Sequence, residues 1–339
     1  MDFKKELLKP EYDFLRENEH LGNNIILLGL GGSHAYGMST VNSDLDCRGC
    51  ALNNKKEILL GRDFEQVENR TTDTVVYSLK KLIKLLTSCN PNTIELLGLK
   101  PEHYLYLLKP GELLLENKKL FLSRRAIDSF GGYSLSQLRR LDNKAMRELG
   151  QVDKEQHILN SITNAKNSFP EKFFYFNEDQ INLYLDDAIQ EDFEKEIFMD
   201  INLRHYPLRD YKCMLSEMAN IVKEYGKIGK RNKNAINRMK LSKHQAHLIR
   251  LYLMCFDILE KEEIITYREN DLELLMSIRN GDYLDSNYQP TSEFYELLNK
   301  LEKRFEYAKN NTNLPEQPNF KKIDELVMEI NEGVILGKY

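Results

Sequence analysis
The stretch that most constrains this chain is an apolar run that ends in glycine and is followed by paired acids. "NNIILLGLGG" is short, rich in leucine and isoleucine, and closes on Gly31 and Gly32. Such a run reads as a buried strand entering a turn. Ser33 comes next, then ten residues, then Asp44-Leu45-Asp46. "DLDCRGCAL" has the alternation of a second strand. Alternate side chains of a strand share a face. Asp44, Asp46 and Arg48 therefore point one way, and Leu45, Cys47, Gly49 and Ala51 the other. Two carboxylates so close repel, and without a cation one is driven to keep its proton. A divalent ion resolves the conflict. Mg²⁺ takes oxygen ligands from one or two carboxylates, water and substrate phosphates. Two such ions about 3.5–4 Å apart stabilise both the attacking and the leaving oxygen of a phosphoryl displacement. Glycines let the backbone approach a phosphate, and successive N–H groups form an anion-binding nest. Ser33 adds a hydroxyl. Turn and aspartates together describe a site for a nucleoside triphosphate held through its phosphates and metal.

Around this stretch the first third of the chain alternates. "KKEILLG" reads as a short strand or turn, and "DTVVYS" as a third strand. "YSLKKLIKLLTS" has the three- and four-residue apolar spacing of an amphipathic helix, and "NPNTIELLGL" that of a second helix capped by Asn90. Residues 1–109 form a mixed α/β domain with a small sheet. After about residue 110 strand signals are few. "PGELLLENKKLFLS", "SRRAIDSFGGYSLSQLRRL", "HQAHLIRLYLMCFDILEKEEI" and "DLELLMSIRNG" have helical periodicity. Residues 110–339 are read as a mainly helical domain that binds substrate or acceptor.

The net charge of -5 announces no global nucleic-acid binder, but local patches matter more than the sum. Residues 178–200 hold nine acids and one lysine; residues 223–250 hold nine Lys or Arg and one glutamate. Both read as solvated helix faces. The basic stretch is also the candidate for a phosphate-rich partner. Five cysteines, an odd number, favour free thiols and a reducing compartment. No apolar run approaches the ~20 residues of a membrane span. The charged N-terminus, broken by Pro10, reads as neither secretory signal nor transit peptide. A cytoplasmic protein with no membrane partner is expected.

"GGSHAYGMSTVNSDLDCRG" resembles the signature of the DNA polymerase beta superfamily of nucleotidyltransferases: an apolar residue, a Gly-Gly or Gly-Ser turn, a spacer, then Asp-x-Asp. Its "GSHAYG…SDLD" form, with "DTVVYSLKKLIKLL", "CNPNTIELLG", "KHQAHLIRLYLMCFDILEKEEI" and "LLMSIRNGDY", is similar to the RNA-repair-pathway DNA polymerase beta family. The resemblance covers residues 25–100 and 240–285. It implies an α/β nucleotidyltransferase domain that moves an NMP from an NTP, such as ATP, to an acceptor hydroxyl and releases pyrophosphate. It implies two Mg²⁺ ions, with Mn²⁺ as a substitute, held by Asp44 and Asp46. It also implies a third acid on a neighbouring strand. Asp73 matches that position, with Glu65 and Glu68 as alternatives. An RNA 3′ end, such as that of tRNA in repair, is the implied acceptor. A protein hydroxyl is second, and a non-catalytic nucleotide- or RNA-binding module is a rival.

Further residues carry paired readings. Gly31, Gly32 and Ser33 would hold the nucleotide. Arg48 either reaches the triphosphate or neutralises an aspartate. Tyr36 either stacks on base or ribose or buttresses the turn. His244 and His247 share a helix face. With Lys243 and Arg250 they either meet phosphate or RNA or pack and cap the helix; the resemblance favours an acceptor role for Lys243, His244 and Arg250. Arg139 and Arg140, beside Tyr133, read as a nucleic-acid surface or a solvated face. Cys47 and Cys50, on opposite faces of one strand, read as packing residues rather than zinc ligands.

Overall fold
The computed structural model describes residues 3–40, 43–131, 134, 151–189, 194–226, 238–286 and 289–339. Its centre is a five-stranded mixed sheet of β1 (Ile25–Leu30), β2 (Cys47–Ala51), β3 (Gln66–Asn69), β4 (Thr74–Ser78) and β5 (Tyr104–Leu107), in the order β3-β4-β2-β1-β5. All six residues of β1 are buried, as its uninterrupted apolar run requires. β2 returns antiparallel to β1, with Leu30 opposite Cys47. β4 lies parallel to β2, with Cys47 opposite Thr74. β3 and β5 pair antiparallel at the two edges.

The turn at the end of β1 is α1 (Gly32–Tyr36). The segment expected as a short strand or turn is instead α2 (Lys55–Leu59). The reason is local: the Asn54 side chain accepts from the Glu57 amide, and the Asn54 amide donates to the Glu57 carboxylate at 2.9 Å. This capping box starts a helix. Ser78 caps α3 (Leu79–Thr87), which buries Leu79, Leu82 and Leu86. Asn90 caps α4 (Pro91–Ile94) through the Asn92 amide, with Pro91 at the first helical position. α5 (Lys109–Glu116) follows β5.

The chain then divides into two compact units, and the division does not follow the expected boundary at 109/110. One unit comprises residues 1–137 and 242–339; the other comprises residues 138–241. The C-terminal third belongs with the sheet because named bonds tie it there. Thr266 donates from its amide to the Gly98 carbonyl at 3.1 Å and from its hydroxyl to the Glu95 carbonyl at 2.6 Å. The Arg268 amide donates to the Tyr36 carbonyl at 3.2 Å.

The second unit holds α6 (Gln151–Asn167), the hairpin β6 (Ile181–Asp187) and β7 (Lys195–Ile201), and α7 (Leu208–Gly226). Its core joins Ile162, Phe169, Phe176, Ile181, Met214, Met218 and Ile221. The acidic stretch expected as a helix face is thus largely a β-hairpin. Leu183 and Ile197 pack against that core, while Asp186 and Asp200 are exposed. The first unit continues with most of α8 (Arg238–Lys261), then α9 (Leu272–Asn280), α10 (Ser292–Asn311) and α11 (Phe320–Ile335). Among the described residues no helix is long and apolar enough to cross a membrane. All five cysteines are free thiols.

Candidate nucleotide site
The site begins where β1 runs out. Gly31 donates its amide to the Asp46 carbonyl at 2.8 Å. That amide is therefore committed to holding the two segments together, so it is not among the free donors of an anion nest. Gly32 has φ +54°, and a Cβ there would overlap the Asp46 carboxylate. Glycine is needed at this position on both counts. The single turn of α1 ends at Gly37, φ +84°, where Met38 donates its amide to the Ser33 carbonyl at 2.9 Å.

Asp44 and Asp46 lie on the extended connection into β2, which begins three residues later than the expected strand. The alternation nonetheless continues through them. Leu45 and Cys47 are buried, Asp44 is exposed, and Asp46 is half-buried. Asp73 directly precedes β4 and Asp46 directly precedes β2. The parallel register therefore sets the two acids side by side at the same end of the sheet. Asp73 has φ +43°, a conformation that aspartate tolerates better than most residues. Arg48 holds it there, donating to its carboxylate at 3.0 Å and to its carbonyl, and also to the Cys47 carbonyl at 2.9 Å. Glu65 and Glu68 are engaged elsewhere, by Lys81 and Arg70.

Burial, then the neighbouring Asp73 charge, raises the Asp46 carboxyl to about 6; Arg48 opposes this and Asp44 adds to it. A crowded, partly desolvated carboxylate with two acids nearby is a donor that a hard cation would relieve. Among the described residues no three His, Cys, Asp or Glu side chains already form a closed metal-binding group. The donor chemistry of Asp44, Asp46 and Asp73 fits Mg²⁺, with Asp73 engaged by Arg48.

A cleft of about 210 Å³ opens beside these acids, within the first unit. Ser33, Tyr36, Met38, Ser43, Asp44 and Asp46 line it together with Lys243, Ala246, His247, Arg250 and Arg279. Behind it lies a buried network. The Tyr36 hydroxyl meets both Glu95 oxygens at 2.9 and 2.8 Å. Arg250 donates to Glu95 at 3.1 Å and stacks its guanidinium 3.7 Å above the Tyr36 ring. Burial raises both the Tyr36 hydroxyl and the Glu95 carboxyl, and the Arg250 charge opposes both shifts.

Of the two readings of Arg250, acceptor contact or packing, its surroundings match packing: it is 1% exposed and paired with Glu95. Lys243 is exposed on the cleft, while His244 is half-buried and does not line it. Sequence reasoning missed Glu95, the one acid in an otherwise uncharged "NPNTIELLGL", and Arg279 in "SIRNG". Tyr133, Arg139, Arg140 and residues 227–237 of the basic stretch lie outside the described residues.

Aspartates at the starts of two parallel strands, facing a Gly-Gly-Ser turn and a cationic helix wall, define an α/β protein with an acidic strand-end cleft. The sequence model of the RNA repair pathway DNA polymerase beta family matches residues 11–329, and the chain belongs to that family. It is also similar to an uncharacterized 38.9 kDa protein of the nrdC-mobD intergenic region of Enterobacteria phage T4. The two are 26% identical over 161 residues, which are 44% of this chain and 45% of that protein. The chain thus matches less than half the length of that relative. No solved structure gives a significant match.

Proposed function
We propose that the protein is a metal-dependent nucleotidyltransferase that adds an NMP to the 3′ end of an RNA. The observation that carries this reading is the register that pairs Cys47 with Thr74 and so sets Asp46 beside Asp73, next to the Gly32 turn. The family's name joins polymerase beta to RNA repair and supports the same reading.

In this reading Ser33 and the free amides of the turn receive the nucleotide phosphates. Asp44, Asp46 and Asp73 would hold Mg²⁺, which when bound neutralises charge on the α-phosphate and the leaving pyrophosphate. Asp73 accepts the proton of the acceptor hydroxyl, and Arg48 orients Asp73 through its hydrogen bonds. Tyr36, fixed by Glu95 and Arg250, forms the cleft floor. Catalysis of this kind is mostly positioning and charge stabilisation, and it requires no covalent nucleophile. The Lys and Arg residues of 223–240 supply the backbone contacts of the RNA.

The test is incubation of the protein with each α-labelled NTP, Mg²⁺, and total RNA or total protein. Label entering RNA supports the proposal. Label entering protein alone moves the acceptor to a polypeptide hydroxyl. Nucleotide binding without turnover points to a non-catalytic module.

A further inference from the structure
The helix side of the cleft presents Lys243, His247 and Arg250 at i, i+4 and i+7 on α8, with Arg279 of α9 beside them. The Ser242 hydroxyl donates to the Arg279 carbonyl at 2.7 Å, which pins the end of α9 to α8. We propose that Arg279, assisted by Lys243 and His247, is the seat for the outer phosphates of the bound triphosphate and for the pyrophosphate that departs. It is thus distinct from the acceptor surface. This rests on the reading that the cleft binds a nucleotide.

Arg279 is the distinctive member. It is half-buried, yet among the described residues its guanidinium has no hydrogen-bond or ion-pair partner. Burial lowers its pKa with no carboxylate acting against the shift. A partly desolvated cation without a counter-charge is costly, and an anion arriving in the cleft would offset that cost. Its planar fork suits two phosphate oxygens at once. Arg250 differs because Glu95 already balances it.

Arg250 also fixes the state of His247. Its Nη2 lies 3.1 Å from His247 Nδ1. A guanidinium only donates, so Nδ1 accepts and a neutral imidazole carries its proton on Nε2. His247 is thereby set as a donor. The Nε of Arg250, buried on the same wall, has no partner among the described residues.

The opposite wall carries Asp44 and Asp46. Uncomplexed RNA phosphates would be repelled there. A metal-chelated polyphosphate satisfies both walls together. The cleft is also smaller than the ~300–1,000 Å³ of typical ligand pockets, which suits a compact polyanion better than a strand of RNA.

The test measures binding of inorganic tripolyphosphate with Mg²⁺, and separately of a single-stranded RNA, by calorimetry. The wild type is compared with Arg279→Ala, Arg279→Lys and Lys243→Ala. The proposal predicts at least ~10-fold weaker tripolyphosphate binding for Arg279→Ala, partial recovery with lysine, a smaller loss for Lys243→Ala, and RNA affinity within about twofold of wild type throughout. If Arg279→Ala does not fold, the exposed Lys243 carries the same test. Unchanged tripolyphosphate affinity, or a loss shared equally with RNA, would overturn the assignment. A wild type that binds RNA but neither tripolyphosphate nor any NTP would overturn the nucleotide reading itself, and the assignment with it.

Discussion

Asp46 is pressed between Gly32, which has no room for a side chain, and two further acids. Its removal should therefore harm chemistry more than stability. Asp46→Asn and Asp44→Asn are each expected to lower turnover at least ~100-fold, since even outer partners of a metal contribute ~10–100-fold, while thermal unfolding stays near wild type. Wild-type rates in both variants would remove them from the site. The raised Asp46 carboxyl has a second consequence. Between the ordinary 3.8 and about 6 the folded protein holds a proton that the unfolded chain has released. Without metal, stability contributed here therefore falls as pH rises through that window. Divalent cations should raise the melting temperature above pH 6 and lose that effect by pH 5. Asp46→Asn should abolish the difference, and a cation effect independent of pH would contradict it. Gly32→Ala is predicted to weaken metal and nucleotide binding together, because its Cβ displaces Asp46; calorimetry with a non-hydrolysable NTP would show whether it does.

At the scale of elements, the contact that fixes α8 to the sheet's helices is the buried pair Arg250–Glu95, joined by Tyr36. Glu95→Gln leaves Arg250 buried without its counter-charge. Breaking such a pair costs about 3–5 kcal/mol, readable in urea unfolding. Glu95→Leu with Arg250→Met should cost less than Glu95→Gln alone, since well-packed apolar pairs replace buried ion pairs at little net loss. Neither the pair nor its worth is visible locally, because its members lie 155 residues apart. What the sequence makes legible is what neighbours decide. The apolar run of β1, the glycines after it, the valines of β4 and the Asn90 cap each carry their reason within a few residues. β3 is polar and exposed on alternate residues, so only pairing with β4 identifies it. In β6 and β7 the alternation was present, but nine acids masked it. Asp73 could be suggested by resemblance; its place beside Asp46 follows only from the β2–β4 register.

At the scale of the whole molecule, a chain that is acidic overall concentrates its basic charge in residues 223–250. RNA affinity should fall steeply with salt, because each neutralised phosphate of a single strand contributes about -0.7 to the log–log slope. Replacing Lys227, Lys230, Arg231 and Lys233 with alanine should flatten that slope by up to about 3 units and leave nucleotide binding intact. The transfer itself is read directly from incorporation of label from an α-labelled NTP into a defined RNA with a free 3′ hydroxyl, in Mg²⁺, by wild type and Asp46→Asn. The wild type is expected to release one pyrophosphate per nucleotide added, and the variant to lose both. Equal incorporation by the two proteins, or none by the wild type with any of the four nucleotides, would contradict it.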